Sequence, residues 1–206
     1  MAAEECIIPR AMGRLKIGVL GSGKGSNFRA ILSEIQAGRL QAEPVVVMAD
    51  VEDAGILSLA REAGLPTVVI REQKFRTKLS PEIEADVVHG LREAGAELVV
   101  LAGYMRMVKA PLLEAFPRRV INIHPSLLPA FPGLEAWRQA LEAGAEKTGC
   151  TVHFVDAGMD SGEIIEQAEV PVLPDDTAAT LHARIQVEEH RLYPAVVARF
   201  ASGEIR

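Results

Sequence analysis

Asn122 and His124 are the two side chains whose types and spacing could carry chemistry. They lie at the end of the apolar run Arg119–Ile123, which predicts a buried strand. Residues two apart in an extended chain point to the same side. Pro125, Pro129 and Pro132 follow, so neither a helix nor a central strand continues and a rigid loop must form. A neutral amide beside a titratable imidazole, roofed by a stiff loop, suits acyl transfer. The amide can donate to a developing oxyanion and the imidazole can move a proton.

A strand ending in such a pair needs a sheet around it. Lys16–Leu20, Glu43–Ala49, Thr67–Ile70 and Glu97–Ala102 read as further short apolar strands. Helical patterns fall between them: Phe28, Ile31, Leu32 and Ile35; residues 54–63, closed by Gly64 and Pro66; and a segment opened by Pro81 that runs to Ala94. Residues 71–80 read as a polar loop. This alternation predicts an α/β fold, a Rossmann-like, mostly parallel twisted sheet with helices on both faces. Ligands of such sheets lie at the carboxyl ends of the strands. The loop after Leu20, the segment Leu101–Val108 and the pair Asn122–His124 all fall at such ends. Further on, Leu134–Ala143 predicts a helix, Gly149–Val155 and Ile164–Val172 predict strands, and Thr177–Ala198 predicts a long helix. His153, in mid-strand beside Phe154, reads as structural. Residues 1–14 carry no pattern and read as a loose extension, which leaves 15–206 as one domain.

The loop Gly21-Ser22-Gly23-Lys24-Gly25-Ser26-Asn27 joins a strand to a helix, an arrangement that presents backbone N–H groups to an anion. A P-loop would use Gly18, Gly23 and Lys24, but Gly25 stands where the metal-binding hydroxyl belongs. A dinucleotide fingerprint would use Gly21 and Gly23, and Asp50 mimics its ribose-binding acid, but position 26 is serine. Taken alone, the loop indicates a phosphate and no more.

Composition narrows the classes. A chain of 206 residues with 49% hydrophobic content can bury one good core. A formal net charge of −6 without a basic stripe argues against nucleic-acid binding. Cys6 and Cys150 are far apart with no metal-ligand spacing, so no metal is expected and structural thiols are the default. No apolar run reaches about 18 residues, which argues against a membrane span, and the N-terminus lacks signal-peptide character. A cytoplasmic protein is expected, with monomer and homodimer both open.

The stretch Asn122-Ile123-His124-Pro125-Ser126-Leu127-Leu128-Pro129, with Gly133 beyond it, resembles the signature of the folate-dependent formyltransferases, which move a formyl group from 10-formyltetrahydrofolate to an amine. The likeness runs from about Leu15 to the end. The loop Gly23–Asn27 and the segment Gln186-Val187-Glu188-Glu189-His190 with Tyr193-Pro194 resemble the branch acting on glycinamide ribonucleotide. The resemblance implies formyl transfer to that amine, with 10-formyltetrahydrofolate as co-substrate and only small molecules as partners.

It also implies roles. Asn122 would steady the formyl oxygen, His124 would shuttle a proton, and Asp160 would favour the imidazolium form of His124. Gly25, Ser26 and Asn27 would hold the phosphate and ribose, with Gln186, Val187, Glu188 and Glu189 nearby. Backbone of Met105, Arg106, Met107 and Val108, and of Asp156, Ala157, Gly158, Met159 and Asp160, would line the folate pteridine. Lys78 would meet the folate glutamate tail, where the family pattern calls for arginine. Two other functions stay open: a hydrolase using water in place of the amine, and a nucleotide-binding module without chemistry.

Overall fold

The structure, a computed structural model, describes residues 13–206. The loose extension expected over 1–14 and the thiol Cys6 therefore lie, apart from residues 13 and 14, outside the described residues. The elements in order are β1 (Leu15–Leu20), α1 (Ser26–Gln36), β2 (Ala42–Ala49), α2 (Gly55–Glu62), β3 (Thr67–Val69), α3 (Pro81–Glu93), β4 (Leu98–Leu101), α4 (Ala110–Ala115), β5 (Val120–His124), α5 (Ala136–Glu142), β6 (Lys147–Phe154), β7 (Ile164–Pro171) and α6 (Ala178–Ala201). The short α4 is the one element that sequence patterning does not anticipate; six residues are too few to show a helical period.

All seven strands form one sheet in the order β3-β2-β1-β4-β5-β6-β7. β1 to β5 are parallel, whereas β6 runs antiparallel to β5 and β7 antiparallel to β6. The connection 155–163 is too short for a parallel crossover, which needs a dozen or more residues, so β7 must return antiparallel.

Side chains alternate between the two faces, and each face has its own core. Leu98 and Val100 of β4 and Ile121 and Ile123 of β5 pack with α1, α2 and α6. Val99 and Leu101, with Val120, pack with α3 and Leu112 of α4. Asn122 and His124 share the face of Val120, where the strand end passes beyond the helices. Their neighbours on β6 are fixed by register: Asn122 opposes His153 and His124 opposes Thr151. This corner of the sheet is polar, and the proline loop covers it instead of a helix. Thr151 Oγ1 donates to the Ser126 carbonyl at 2.6 Å and accepts from Leu128 N–H at 3.0 Å.

α6 is tied to the strand ends by one hydroxyl. Tyr193 is fully buried, and its phenol lies 2.9 Å from the Leu101 carbonyl and 3.1 Å from the Ile121 carbonyl. Pro194 follows inside the helix without ending it. Tyr193→Phe removes the hydrogen-bond partner of two buried carbonyls and should lower stability by about 1–3 kcal/mol. Urea unfolding monitored by circular dichroism would measure this, and an unchanged midpoint would contradict it.

Candidate active site

The site lies along the carboxyl ends of β1, β4 and β5. At its centre His124 is 5% exposed and held at both ring nitrogens. Nε2 lies 2.9 Å from the Phe131 carbonyl oxygen, and Nδ1 lies 3.3 Å from Asp160 Oδ2. A carbonyl only accepts, so Nε2 turns a hydrogen to Phe131 while Nδ1 faces the Asp160 carboxylate. The proline loop that supplies Phe131 is fastened by Ser126, whose hydroxyl donates to the Ala130 carbonyl at 2.5 Å. Asp160 adopts a left-handed backbone (φ 51°) and also accepts from Gly133 N–H at 2.9 Å, linking the two loops that flank His124. Asn122 Nδ2 lies 3.2 Å from His153 Nε2, so the histidine that reads as structural in the sequence stands inside the cluster. The sequence signal for it is the pair Thr151 and His153, two polar residues in step within the otherwise apolar run from Gly149 to Phe154.

The glycine loop ends in a helix start without a side-chain cap. Gly25 is the N-cap of α1 in a left-handed conformation (φ 77°), and the first turn has no acidic residue. Its backbone N–H groups are thus free of side-chain partners within the helix start, as an anion site requires. A Cβ at Gly25 would meet the Ile56 backbone at 2.9 Å, so glycine is demanded by space as well as by φ. Gly18, which a P-loop would need in the loop, instead lies inside β1 against Leu91. Asp50 is not free to hold a ribose as in a dinucleotide fold. Its carboxylate accepts from Arg106 Nε at 2.6 Å and from Ser22 Oγ at 2.5 Å.

That buried pair organises the neighbouring loops. Arg106 Nη1 donates to the carbonyls of Phe75 (2.6 Å) and Lys78 (3.1 Å), Met107 N–H donates to Thr77 O (2.8 Å), and Met105 N–H donates to Ser22 Oγ (2.9 Å). The loop 71–80, the segment 105–108 and the glycine loop therefore meet through one ion pair. The Val108 side chain is buried in the core and Met105 is exposed. Lys78 holds its ammonium 4.5 Å from the centre of the Phe75 ring. Residues Asp156, Ala157, Gly158 and Met159 form an exposed turn in which Asp156 Oδ1 accepts from Gly158 N–H and Ser161 Oγ.

On α6 the four residues singled out by the sequence separate. Glu189 is 5% exposed and accepts from Asn27 Nδ2 at 3.2 Å, joining α6 to the start of α1. Gln186 is half-buried, one helical turn before it. Glu188 pairs with Arg191 at 2.7 Å, and Val187, 65% exposed, faces solvent. Residues two apart on a helix point to opposite sides, so Val187 cannot share the Glu189 environment. Among the described residues no group of three or more His, Cys, Asp or Glu is placed to hold a metal, and no helix is long and apolar enough to cross a membrane. Cys150 is a buried thiol, pushed up to about 12 by burial.

This fold and site are those of a group-transfer enzyme working at the strand ends of an α/β sheet, and residues 15–197 match the formyl transferase family model. The chain belongs to that family. It is 39% identical over 182 residues to the phosphoribosylglycinamide formyltransferase of Bacillus subtilis (strain 168), covering 88% of this chain and 92% of that protein. It is 45% identical over 197 residues to the trifunctional purine biosynthetic protein adenosine-3 of Drosophila pseudoobscura pseudoobscura, covering 94% of this chain but only 14% of the much longer relative. The crystal structure of glycinamide ribonucleotide transformylase 1 from Symbiobacterium toebii superposes with a TM-score of 0.88 at 50% identity, covering 93% of this chain and 89% of that one.

Burial pushes the Glu189 carboxyl up to about 7, against the opposing pull of the Asn27 hydrogen bond. A carboxyl whose pKa is raised on folding keeps its proton in the native state while the unfolded chain releases it. Its contribution is therefore fully present below the unfolded value of about 4.3 and is lost as pH rises towards 7. Glu189→Gln should grow more stable relative to the parent across that window, by an amount of order 3 kcal/mol at its upper end. Melting temperatures at pH 5, 6 and 7.5 check this, and a pH-independent difference would exclude it.

Proposed function

We propose that this chain transfers the formyl group of 10-formyltetrahydrofolate to the amine of N1-(5-phosphoribosyl)glycinamide, yielding formylglycinamide ribonucleotide and tetrahydrofolate. The domain that does so would span 15–206 and work in the cytoplasm on small molecules alone. One observation carries the reading: an uncapped helix start suited to a phosphate and an amide, an imidazole and a carboxylate suited to acyl transfer lie at the carboxyl ends of strands of one sheet. The likeness to a named phosphoribosylglycinamide formyltransferase, over most of both chains, supports the choice of acceptor.

The substrate phosphate would sit on the backbone of Gly25, Ser26 and Asn27, with Glu189, and Gln186 beside it, towards the ribose. Backbone of Met105, Arg106, Met107 and Val108 and of the turn 156–160 would line the pteridine. Lys78 would leave the Phe75 ring to meet the glutamate tail. The substrate amine attacks the formyl carbon, forming a C–N bond and a tetrahedral adduct whose oxygen gains negative charge. Asn122 donates a hydrogen bond to that oxygen. His124, paired with Asp160, supplies the proton from Nε2, for which the reacting atom competes with the Phe131 carbonyl. The bond to N10 then breaks, N10 takes up a proton and the new amide nitrogen gives one up, so protons balance. An oxyanion donor is typically worth about 10²–10³ in rate and a general acid–base group about 10²–10⁴.

Supplying 10-formyltetrahydrofolate with and without glycinamide ribonucleotide decides the reaction class. Acceptor-dependent release of tetrahydrofolate is expected; acceptor-independent release would make the chain a hydrolase, and none would make it a binding module. Asn122→Ala and His124→Ala should each cut turnover by about 10²-fold or more with little change in folate binding. The double variant should lose less than the product of the single losses, because both groups act on one adduct. Near-normal turnover in a folded His124→Ala protein would remove the mechanism.

A further inference from the structure

We infer that His153 is a positioning residue that fixes which way the Asn122 carboxamide faces, and so which group the site presents to the reacting oxygen. The inference rests on the proposed formyl transfer for its kinetic consequence, but not for its geometry.

The argument is one of donors and acceptors. His153 is 2% exposed, so its ring nitrogens must find partners within the protein. Nδ1 lies 2.8 Å from the Phe154 carbonyl oxygen, which can only accept, so Nδ1 carries a hydrogen. Burial lowers the pKa of this imidazole and favours the neutral ring, outweighing the opposing effects of the Phe154 carbonyl and Asp160. A neutral ring with hydrogen on Nδ1 presents a lone pair at Nε2. The two groups near that lone pair are Asn122 Nδ2 at 3.2 Å and Asp160 Oδ1 at 3.8 Å. The second distance is too long for the hydrogen bond that a protonated Nε2 would make to a carboxylate.

Asn122 must therefore turn its NH2 towards His153. Rotated by half a turn, its Oδ1 would face a lone pair, losing one hydrogen bond and gaining a repulsion. One amide hydrogen is committed to His153, which sets the plane of the carboxamide and the direction of the other. The second hydrogen is the donor that the proposed mechanism needs. The two imidazoles thus divide the work around Asp160: His124 faces its charge at 3.3 Å, whereas His153 stays an acceptor and aims the amide. The antiparallel register that opposes Asn122 to His153 is what brings them together.

Two measurements test this. Nitrogen-15 NMR of histidine-labelled protein, assigned with His153→Gln, should show at neutral pH an Nδ1-protonated ring with a pyridine-like Nε2. A protonated Nε2 would overturn the inference whatever reaction the chain catalyses. Kinetically, His153→Leu removes the acceptor and should lower kcat by about 10²-fold, comparable to loss of one oxyanion donor, with KM for both substrates little changed. His153→Gln can place a side-chain oxygen near the Nε2 position and should recover part of that loss. In an Asn122→Ala background His153→Leu should cause no further loss, because there is no carboxamide left to aim. Independent, multiplying losses would show that His153 acts by another route, as would full activity in a folded His153→Leu protein. If the Leu variant does not fold, the NMR tautomer and the Gln variant still decide. If the parent shows no formyl transfer, the tautomer result stands alone and the failure belongs to the proposed reaction.

Discussion

The Asp160 carboxylate is the group on which the rest of the catalytic corner depends. Oδ2 accepts from Gly133 N–H and faces His124 Nδ1, and Oδ1 lies 3.8 Å from His153. The end of β5 and the proline loop that directly follows it are thereby held to the turn after β6, some way along the chain, by one anion. The arrangement uses a left-handed backbone at Asp160, a conformation that Asp tolerates better than most non-glycine residues. A negative charge this enclosed is stable only with donors around it, and the loop N–H and the imidazole provide them. The proline loop and the His124 ring thus share one carboxylate partner, in addition to the bonds that Ser126 and Thr151 make within the loop.

Much of this was legible in the sequence, for identifiable reasons. Parallel strands buried on both faces leave near-continuous apolar runs, so β1, β2, β4 and β5 stand out within a residue or two of their observed bounds. The pair Asn122 and His124 could be placed on one side because strand periodicity is strict. What could not be read were relations across the sheet. The opposition of Asn122 to His153 follows from the antiparallel register of β6, and nothing local to His153 reveals it. The capture of Asp50 by Arg106 was equally hidden, because the two are brought together only when β2 and β4 flank β1. Asp50 looked like a ribose ligand for the very reason that it ends a strand beside a glycine loop. The side chains of Gln186, Val187, Glu188 and Glu189 cannot all face one way, since consecutive helix residues point in different directions.

The glycine loop and the polar corner at the end of β5 rest on different physics. The start of α1 exposes backbone N–H groups without a side-chain cap, and a Cβ at Gly25 would collide with Ile56. The corner around Asn122 and His124 uses side chains held by partners on neighbouring strands and loops. Between them the Asp50–Arg106 pair, almost wholly buried, connects the glycine loop through Ser22 to the loop 71–80. Breaking one partner of such a pair leaves an uncompensated buried charge, which makes the connection stiff.

The Tyr193 hydroxyl and the apolar face of α6 bear on how the molecule comes into being. α6 is the last element, yet Leu181, Ile185, Leu192, Tyr193, Val196, Val197 and Phe200 complete the core on one face of the sheet. A ribosome delivers roughly 5–20 residues per second, so a nascent chain already bearing both motifs waits, on the order of a second or more, with that face uncovered. During this interval the strand ends lack their tether and Asn27 lacks Glu189. Until α6 has formed, the apolar side chains on that face of the sheet stay open to water.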